Sequence, residues 1–312
     1  MTTALVTHTD CLLHRTPAHV PEQVARLDVV LRALEDLPMT IEAAPPIDLE
    51  ALHALHDPAY VARVLSGPPD SGFACLDADR EGETCLSSTS LNAVLRAAGG
   101  AVRAVDLVLG ERYGNAFVAV RPPGHHALAD KSMGFCFFGN VALAARHALE
   151  AHGLSRVTIV DFDVHHGNGT QALMWDEPRV LVVTSQQMPL WPGTGSPSDT
   201  GAHGNVLNVP LPPGSGGPEM RMAYAETVFP RLRSFAPELI LISAGFDAHR
   251  DDPLAELNWR EEDFNWLTRS LCAIARECGR GRVVSVLEGG YDLHALGLSA
   301  RAHARGLCAA FD

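Results

Sequence analysis

The sequence predicts a three-layer α/β fold in which helices cover both faces of a mostly parallel central sheet. Three observations carry this. Five short apolar runs rich in Val, Ile or Leu lack polar alternation, which is how strands buried on both faces read. Segments of helical periodicity or composition lie between them, and strictly alternating strands and helices build a parallel sheet. Each run also leads into a cluster of Gly, His, Asp or Tyr, and such folds bind ligands beyond the carboxyl ends of their strands.

In chain order, a helix is expected over Leu91 to Leu109 and a strand over Ala116 to Val120. A helix over Val141 to Ala151 follows, then strands at Val157 to Val160 and Val180 to Thr184. Met220 to Phe235 reads as helix, Leu239 to Ser243 as strand, Glu261 to Cys278 as helix and Val283 to Leu287 as the last strand. No repeat, heptad, low-complexity tract or obvious linker divides the chain, so residues 1–312 are read as a single domain. At that length a folded chain buries roughly 75% of the surface its unfolded form exposes. With 46% hydrophobic and 20% charged residues, disorder is excluded as the dominant state.

The net charge is −13, from 37 acidic residues against 24 basic ones, and Lys131 is the only lysine. This argues against nucleic-acid binding, which needs a basic footprint. An acidic surface suits a cationic partner, although solubility and an arginine-rich composition account for most of the balance. The seven cysteines are odd in number and scattered, which predicts a reduced, cytoplasmic protein. No signal peptide is read in the first thirty residues, and no uncharged apolar run approaches a membrane span. The sequon Asn168-Gly169-Thr170 therefore carries no weight.

Chemistry concentrates at the ends of four strands. The run at 157–160 continues as Asp161-Phe162-Asp163-Val164-His165-His166-Gly167-Asn168-Gly169. Residues two apart in an extended segment share a face, so Asp161, Asp163 and His165 point the same way. Two carboxylates with an imidazole make a divalent-metal site or, equally, a hydrogen-bonded turn. The run at 239–243 ends in Ala244-Gly245-Phe246-Asp247, which adds a third acid and completes an Asp, His, Asp set with positions left open, as in a catalytic zinc site. The run at 116–120 enters Arg121-Pro122-Pro123-Gly124-His125-His126, a stiff turn presenting tandem imidazoles suited to proton transfer. The run at 283–287 ends in Glu288-Gly289-Gly290-Tyr291-Asp292, where Tyr291 is either a packing residue or a hydrogen-bond donor at the same rim.

These segments, together with Gly134-Phe135-Cys136-Phe137-Phe138 and Asn140, strongly resemble the zinc-dependent histone deacetylase and acetylpolyamine amidohydrolase family. The motifs stand in the family's order, and weaker matches run almost end to end, among them Leu55 to Tyr60, Ala98 to Gly100, Pro192 to Gly195 and Asp252 to Leu254. The resemblance implies an arginase-like fold. It implies Zn²⁺, one per chain, on Asp163, His165 and Asp247. It makes His126 the general base and later acid, His125 its electrostatic partner, and Tyr291 a donor to the scissile carbonyl. Asp161 and Asn168 would orient the two histidines. Gly134 would contact the acyl group, with Phe135 and Trp191 lining a narrow channel. A structural K⁺ would lie on Asp161, Asp163, His165, Ser185 and Gln186.

Three positions depart from the family pattern. Gln187 stands where many relatives have histidine. The amino-terminal signature appears as His19-Val20-Pro21-Glu22 with Arg26-Leu27, one residue displaced. Leu254 occupies the place of an acidic gatekeeper in members specialised for acetylpolyamines. The resemblance thus implies hydrolysis of N6-acyl-lysine in proteins or peptides. Acetylpolyamines or other small acylated amines are the alternative, with a catalytically silent metal-binding scaffold a distant third. A two-metal ureohydrolase is disfavoured, since His165-His166 stand where another Asp would be needed. Cys136 reads as a packing residue, and Gly214-Ser215-Gly216-Gly217, lacking a phosphate-loop Lys, as a surface loop.

Overall fold

The structure, a computed structural model, describes residues 2–76 and 82–311. Among the described residues there are ten strands: β1 Thr3–Thr7, β2 Met39–Ala43, β3 Ala74–Cys75, β4 Cys85–Leu86, β5 Asn115–Val118, β6 Val157–Asp161, β7 Val180–Gln187, β8 Val206–Leu211, β9 Leu239–Ala244 and β10 Val283–Leu287. Eight of them form one sheet in the order β2-β1-β5-β10-β9-β6-β7-β8, and every neighbouring pair is parallel. All residues of β5, β6, β9 and β10 are buried, which explains their unbroken apolar character.

Three strands of this sheet were not anticipated. β1 lies in a Thr-flanked start, β2 is a half-exposed edge strand, and β8 carries Asn208 and Pro210. Pro210 is tolerated because β8 is the opposite edge, where one side of the strand needs no ladder. Their strand character comes from their neighbours rather than from their own composition.

The helices are α1 Val24–Leu34, α2 Leu49–Leu52, α3 Pro58–Leu65, α4 Ser90–Leu109, α5 Asn140–Glu150, α6 Asn168–Leu173, α7 Gly217–Ala223, α8 Phe229–Phe235, α9 Glu261–Cys278 and α10 Leu293–Cys308. α4 packs on α5, and α10 packs between α1 and α9, so two helical layers flank the sheet. The expected helix at 220–235 is interrupted by a π-helical turn, Tyr224–Val228. Pro230 near the start of α8 has no N–H to donate and crowds the preceding turn, and the wider π register relieves this.

Two further expectations are corrected. Cys75 and Cys85 face each other across the antiparallel β3–β4 pair and form a disulfide, so the cysteines are not all reduced. Scattered sequence positions hid a pair that the antiparallel pairing of β3 with β4 brings into register. Gly214 to Gly217 is also more than a surface loop: Ser215 is buried, Gly216 caps α7 and Gly217 is its first residue. Among the described residues no helix is long and apolar enough to cross a membrane.

Candidate active site

The sheet register aligns Val118, Val286, Ser243 and Asp161 in one row across the adjacent strands β5, β10, β9 and β6. Asp163, His165, Asp247, His125, His126 and Tyr291 follow shortly after that row, so four neighbouring carboxyl ends deliver them to one place. Chain order separates them by more than 160 positions; the parallel sheet removes the separation.

Beyond β6 and β9, Asp163, His165 and Asp247 are buried, and one ligand atom from each lies within 4.8 Å of the other two. His165 Nδ1 is 3.2 Å from Asp163 Oδ1 and 3.1 Å from Asp247 Oδ2. Backbone N–H groups set the carboxylates: Gly289 donates to Asp163 Oδ2 at 2.8 Å and Val164 to Asp247 Oδ1 at 2.9 Å. Among the described residues the ion-pair partners of these two acids are imidazoles alone. Two buried carboxylates in such proximity repel, and a divalent cation between them removes that cost. A cradle for it is present, since a Cβ on Gly289 would sit 2.1 Å from Asp247 Oδ2 and 2.5 Å from Asp163 Oδ2. Two carboxylate oxygens and an imidazole nitrogen fit a metal of zinc's kind with open coordination positions.

The tandem histidines follow β5. Glu288 accepts from the backbone N–H groups of Gly124 at 2.7 Å and His125 at 3.2 Å, tying the turn to the end of β10. His125 Nδ1 meets Asp161 Oδ2 at 3.0 Å, and His126 Nδ1 meets Asn168 Oδ1 at 2.7 Å. The ring centroids are 3.9 Å apart, with the planes tilted by 44°. Burial opposes charge on His125, but the Asp163 and Asp161 carboxylates outweigh it and raise its pKa well above the imidazole range. Burial and the neighbouring imidazoles His125 and His165 push His126 well below that range. Two adjacent histidines are thus driven apart electrostatically, one towards the cation and one towards the neutral base.

Tyr291, beyond β10, is half-buried, and its phenol is held protonated by burial despite the nearby Arg26 guanidinium. Arg26 lies 4.9 Å over the ring and donates to Gly290 O at 2.5 Å and Glu288 O at 2.6 Å. Its Nη1 also donates to Glu22 Oε1 at 2.8 Å, and Arg121 donates to both oxygens of the same carboxylate. Asp252 accepts from Tyr291 N at 2.7 Å on the other side. The roles of Glu22, Arg26, Arg121, Glu288 and Asp252 in supporting these loops are absent from the sequence reading. The i, i+4 spacing of Glu22 and Arg26 was the available signal, but the third partner, Arg121, is 99 residues from Glu22.

A cavity of about 730 Å³ descends to His126, His165 and Tyr291. Phe135 and Trp191 line it, together with Leu254, Leu190, His19, Pro21 and Glu83. Trp191 stands 4.7 Å from the His126 ring, and Phe135 stands 5.9 Å from that of Tyr291. Gly134 has φ +54°, and a Cβ there would lie 2.4 Å from the His126 ring, so a larger residue would obstruct the base. Cys136 is fully buried behind this wall, its thiol donating to Gly134 O, in agreement with a packing role.

Of the expected K⁺ set, Ser185 Oγ lies 3.5 Å from the Asp161 carbonyl oxygen and 2.7 Å from the Tyr224 hydroxyl. The Gln186 side chain turns away to Gly195 O. Gln187 fastens the Leu254 loop, accepting from Glu256 N at 2.8 Å.

The histone deacetylase domain family model matches residues 20–307. The chain is 39% identical over 307 residues to Histone deacetylase 14, chloroplastic, of Arabidopsis thaliana, covering 92% of this chain and 72% of that one. A protein of Archaeoglobus fulgidus named Probable deacetylase is 37% identical, with 94% and 82% covered. The Histone deacetylase-like amidohydrolase of Pseudomonas aeruginosa is 38% identical over 257 residues, 81% of this chain and 66% of that one. Among solved structures, the HDA15 HD domain superposes with a TM-score of 0.91 at 31% identity, covering 99% of this chain and 89% of that one.

Proposed function

Because the chain belongs to the histone deacetylase family and is a hydrolytic deacetylase, we propose that it removes acyl groups, acetyl foremost, from N6-acyl-lysine in proteins or peptides. The observation that carries this is the convergence of the Asp163, His165, Asp247 cluster, His126 and Tyr291 around an aromatic-walled cavity. Asp163, His165 and Asp247 would hold Zn²⁺. Bound there, zinc supplies Lewis acidity, lowering the pKa of water and polarising a carbonyl.

The chain's own groups then do the following. Asn168 Oδ1 accepts the Nδ1–H of His126, which leaves the Nε2 lone pair free to take a proton from the attacking water. The same Nε2 returns it to the departing amine. His125, paired with Asp161, places positive charge beside the reacting centre. Tyr291 donates its hydroxyl to the carbonyl oxygen as negative charge develops there. Phe135 and Trp191 flank an extended acyl-lysyl chain and exclude water from it.

Leu254 on the cavity wall offers no charge to a polyamine and favours the peptide substrate. Glu83 in the lining and the net charge of −13 support a second reading, deacetylation of a small acylated polyamine. Side-by-side kcat/KM on acetyl-lysine peptides and acetylspermidine decides between them; a clear preference for the polyamine would overturn the first. K⁺ on Asp161, Asp163, His165, Ser185 and Gln186 is part of the proposal, as is a single catalytic domain over 1–312. For the compartment we retain the cytoplasm, on the strength of five cysteines outside the disulfide, three of them buried. Thiol counting on protein taken directly from cells tests that reading.

A further inference from the structure

We propose that Asp106, His147 and His152 form a second, solvent-accessible site for a borderline-soft divalent cation such as Zn²⁺, clipping α4 to α5 away from the active site. Asp106 Oδ1 lies 2.7 Å from His147 Nε2 and 2.9 Å from His152 Nε2. The three ligand atoms are within 4.8 Å of one another, and the two rings stand 5.3 Å apart at 77°. Asp106 comes from the last turns of α4, His147 from the last turn of α5, and His152 from just beyond the α5 cap Ala151. His147 is seven residues along α5 from Asn140, which borders the His125 turn, so about 10 Å of helix separates the two regions.

Both imidazoles direct the same nitrogen at one carboxylate oxygen. Without a cation, each Nε2 must carry a hydrogen to make these contacts; with one, the same nitrogens present lone pairs by a change of tautomer. No arginine competes for Asp106: its ion-pair partners among the described residues are the two imidazoles, while Arg146 nearby is engaged with Glu150 and Glu177. The imidazole side chains are 27% exposed and the carboxylate 36%, so a cation reaches them without opening the core. Ligands at zinc's bond lengths stand about 3.3 Å apart in a tetrahedron, so each imidazole nitrogen need withdraw from the Asp106 oxygen by only a few tenths of an ångström, while the two nitrogens, already within 4.8 Å of each other, adjust by side-chain rotation. Two imidazoles with one carboxylate select Zn²⁺, Cu²⁺ or Ni²⁺ over Ca²⁺ and Mg²⁺, which require oxygen ligands. Water fills the remaining positions, and the site joins helices that the fold already packs together.

The test is a Zn²⁺ titration of protein already carrying its active-site metal, followed by calorimetry and metal analysis. Wild type should take up one further equivalent with micromolar affinity, and its Tm should rise with added Zn²⁺. His152→Ala and Asp106→Asn should each weaken that second equivalent by about 100-fold or more. Both should keep the first equivalent and their deacetylase turnover. The proposal is overturned if wild type binds no second equivalent, or if the second equivalent survives in both variants. Loss of the first equivalent in wild type would instead count against the Asp163, His165, Asp247 assignment.

Discussion

His126 Nδ1 stands 2.7 Å from Asn168 Oδ1, and this contact decides which nitrogen of the proposed base faces the cavity. Removing the acceptor frees the ring to rotate and to change tautomer. Asn168→Ala should therefore lower kcat by about 10- to 100-fold with little change in KM. Steady-state kinetics on an acetyl-lysine peptide measures it; an unchanged kcat would mean that Asn168 does not orient the base.

Tyr291 loses only its hydroxyl in Tyr291→Phe, and the Arg26 guanidinium keeps a ring to stack on. We expect normal folding and metal content, with kcat lowered on the order of 10²- to 10³-fold. Full turnover by this variant would remove Tyr291 from the chemistry.

Asp247→Ala deletes one of two carboxylates facing His165. Active-site metal should fall well below stoichiometric and activity with it, as read by metal analysis after dialysis. The peripheral Asp106, His147, His152 site makes a control necessary, so the measurement is best made in an Asp106→Asn background. Undiminished metal there would sink the ligand assignment.

Glu22 sits fully buried between Arg26 and Arg121. Burial alone would raise its pKa, but the two guanidiniums outweigh burial and hold it at about 2, below the ordinary 4.5. A depressed acid stabilises the fold fully above its unfolded pKa, and that contribution is lost as pH falls from about 4.5 towards 2. His303 and His14 add to acid lability at higher pH. Burial holds them neutral, at about 3 and about 4, so the unfolded chain takes up protons first and stability declines below pH 6.5. Glu22→Gln should cost about 3–5 kcal/mol at pH 7, because two buried guanidiniums lose their counter-charge. It should also flatten the pH dependence of urea stability between 4.5 and 2 while leaving the fall between 6.5 and 4.5 in place.

Leu254 is 37% exposed on the cavity wall, and its backbone N–H is fixed by Asp252 at 3.0 Å. Leu254→Glu introduces a carboxylate at an anchored position within reach of a cationic substrate. The ratio of kcat/KM for acetylspermidine to that for an acetyl-lysine peptide should rise by about 5-fold, as one partly exposed ion pair of about 1 kcal/mol permits. A ratio that stays fixed would show that this position does not select the substrate.

The five expected strands are all present, β7 running three residues past its expected end and the others lying within two residues of theirs, because their burial on both faces leaves an unmistakable apolar run. Edge strand β2 escaped since most of its residues meet water and its composition follows suit, and β8 escaped because Asn208 and Pro210 interrupt its apolar run. The chemistry-bearing residues were equally legible, since Asp163-Val164-His165 and His125-His126 place ligand and base types at strand ends with short, local spacing. The supporting groups were not. Glu288 holding the His125 turn, and Glu22 reaching Arg121, are contacts across 99 to 164 residues that no local pattern announces.

The α/β class and the placing of Asp, His and Tyr at strand ends thus follow from the sequence by itself, since periodicity and local spacing are short-range properties. Tertiary structure alone decided that β5, β10, β9 and β6 are neighbours, which is what gathers the cluster. It also paired Cys75 with Cys85, against the expectation of reduced thiols, and set Asp106 beside His147 and His152. Each of these depends on the packing of segments distant in sequence, where the gain comes from burying both partners together and neither segment alone records it.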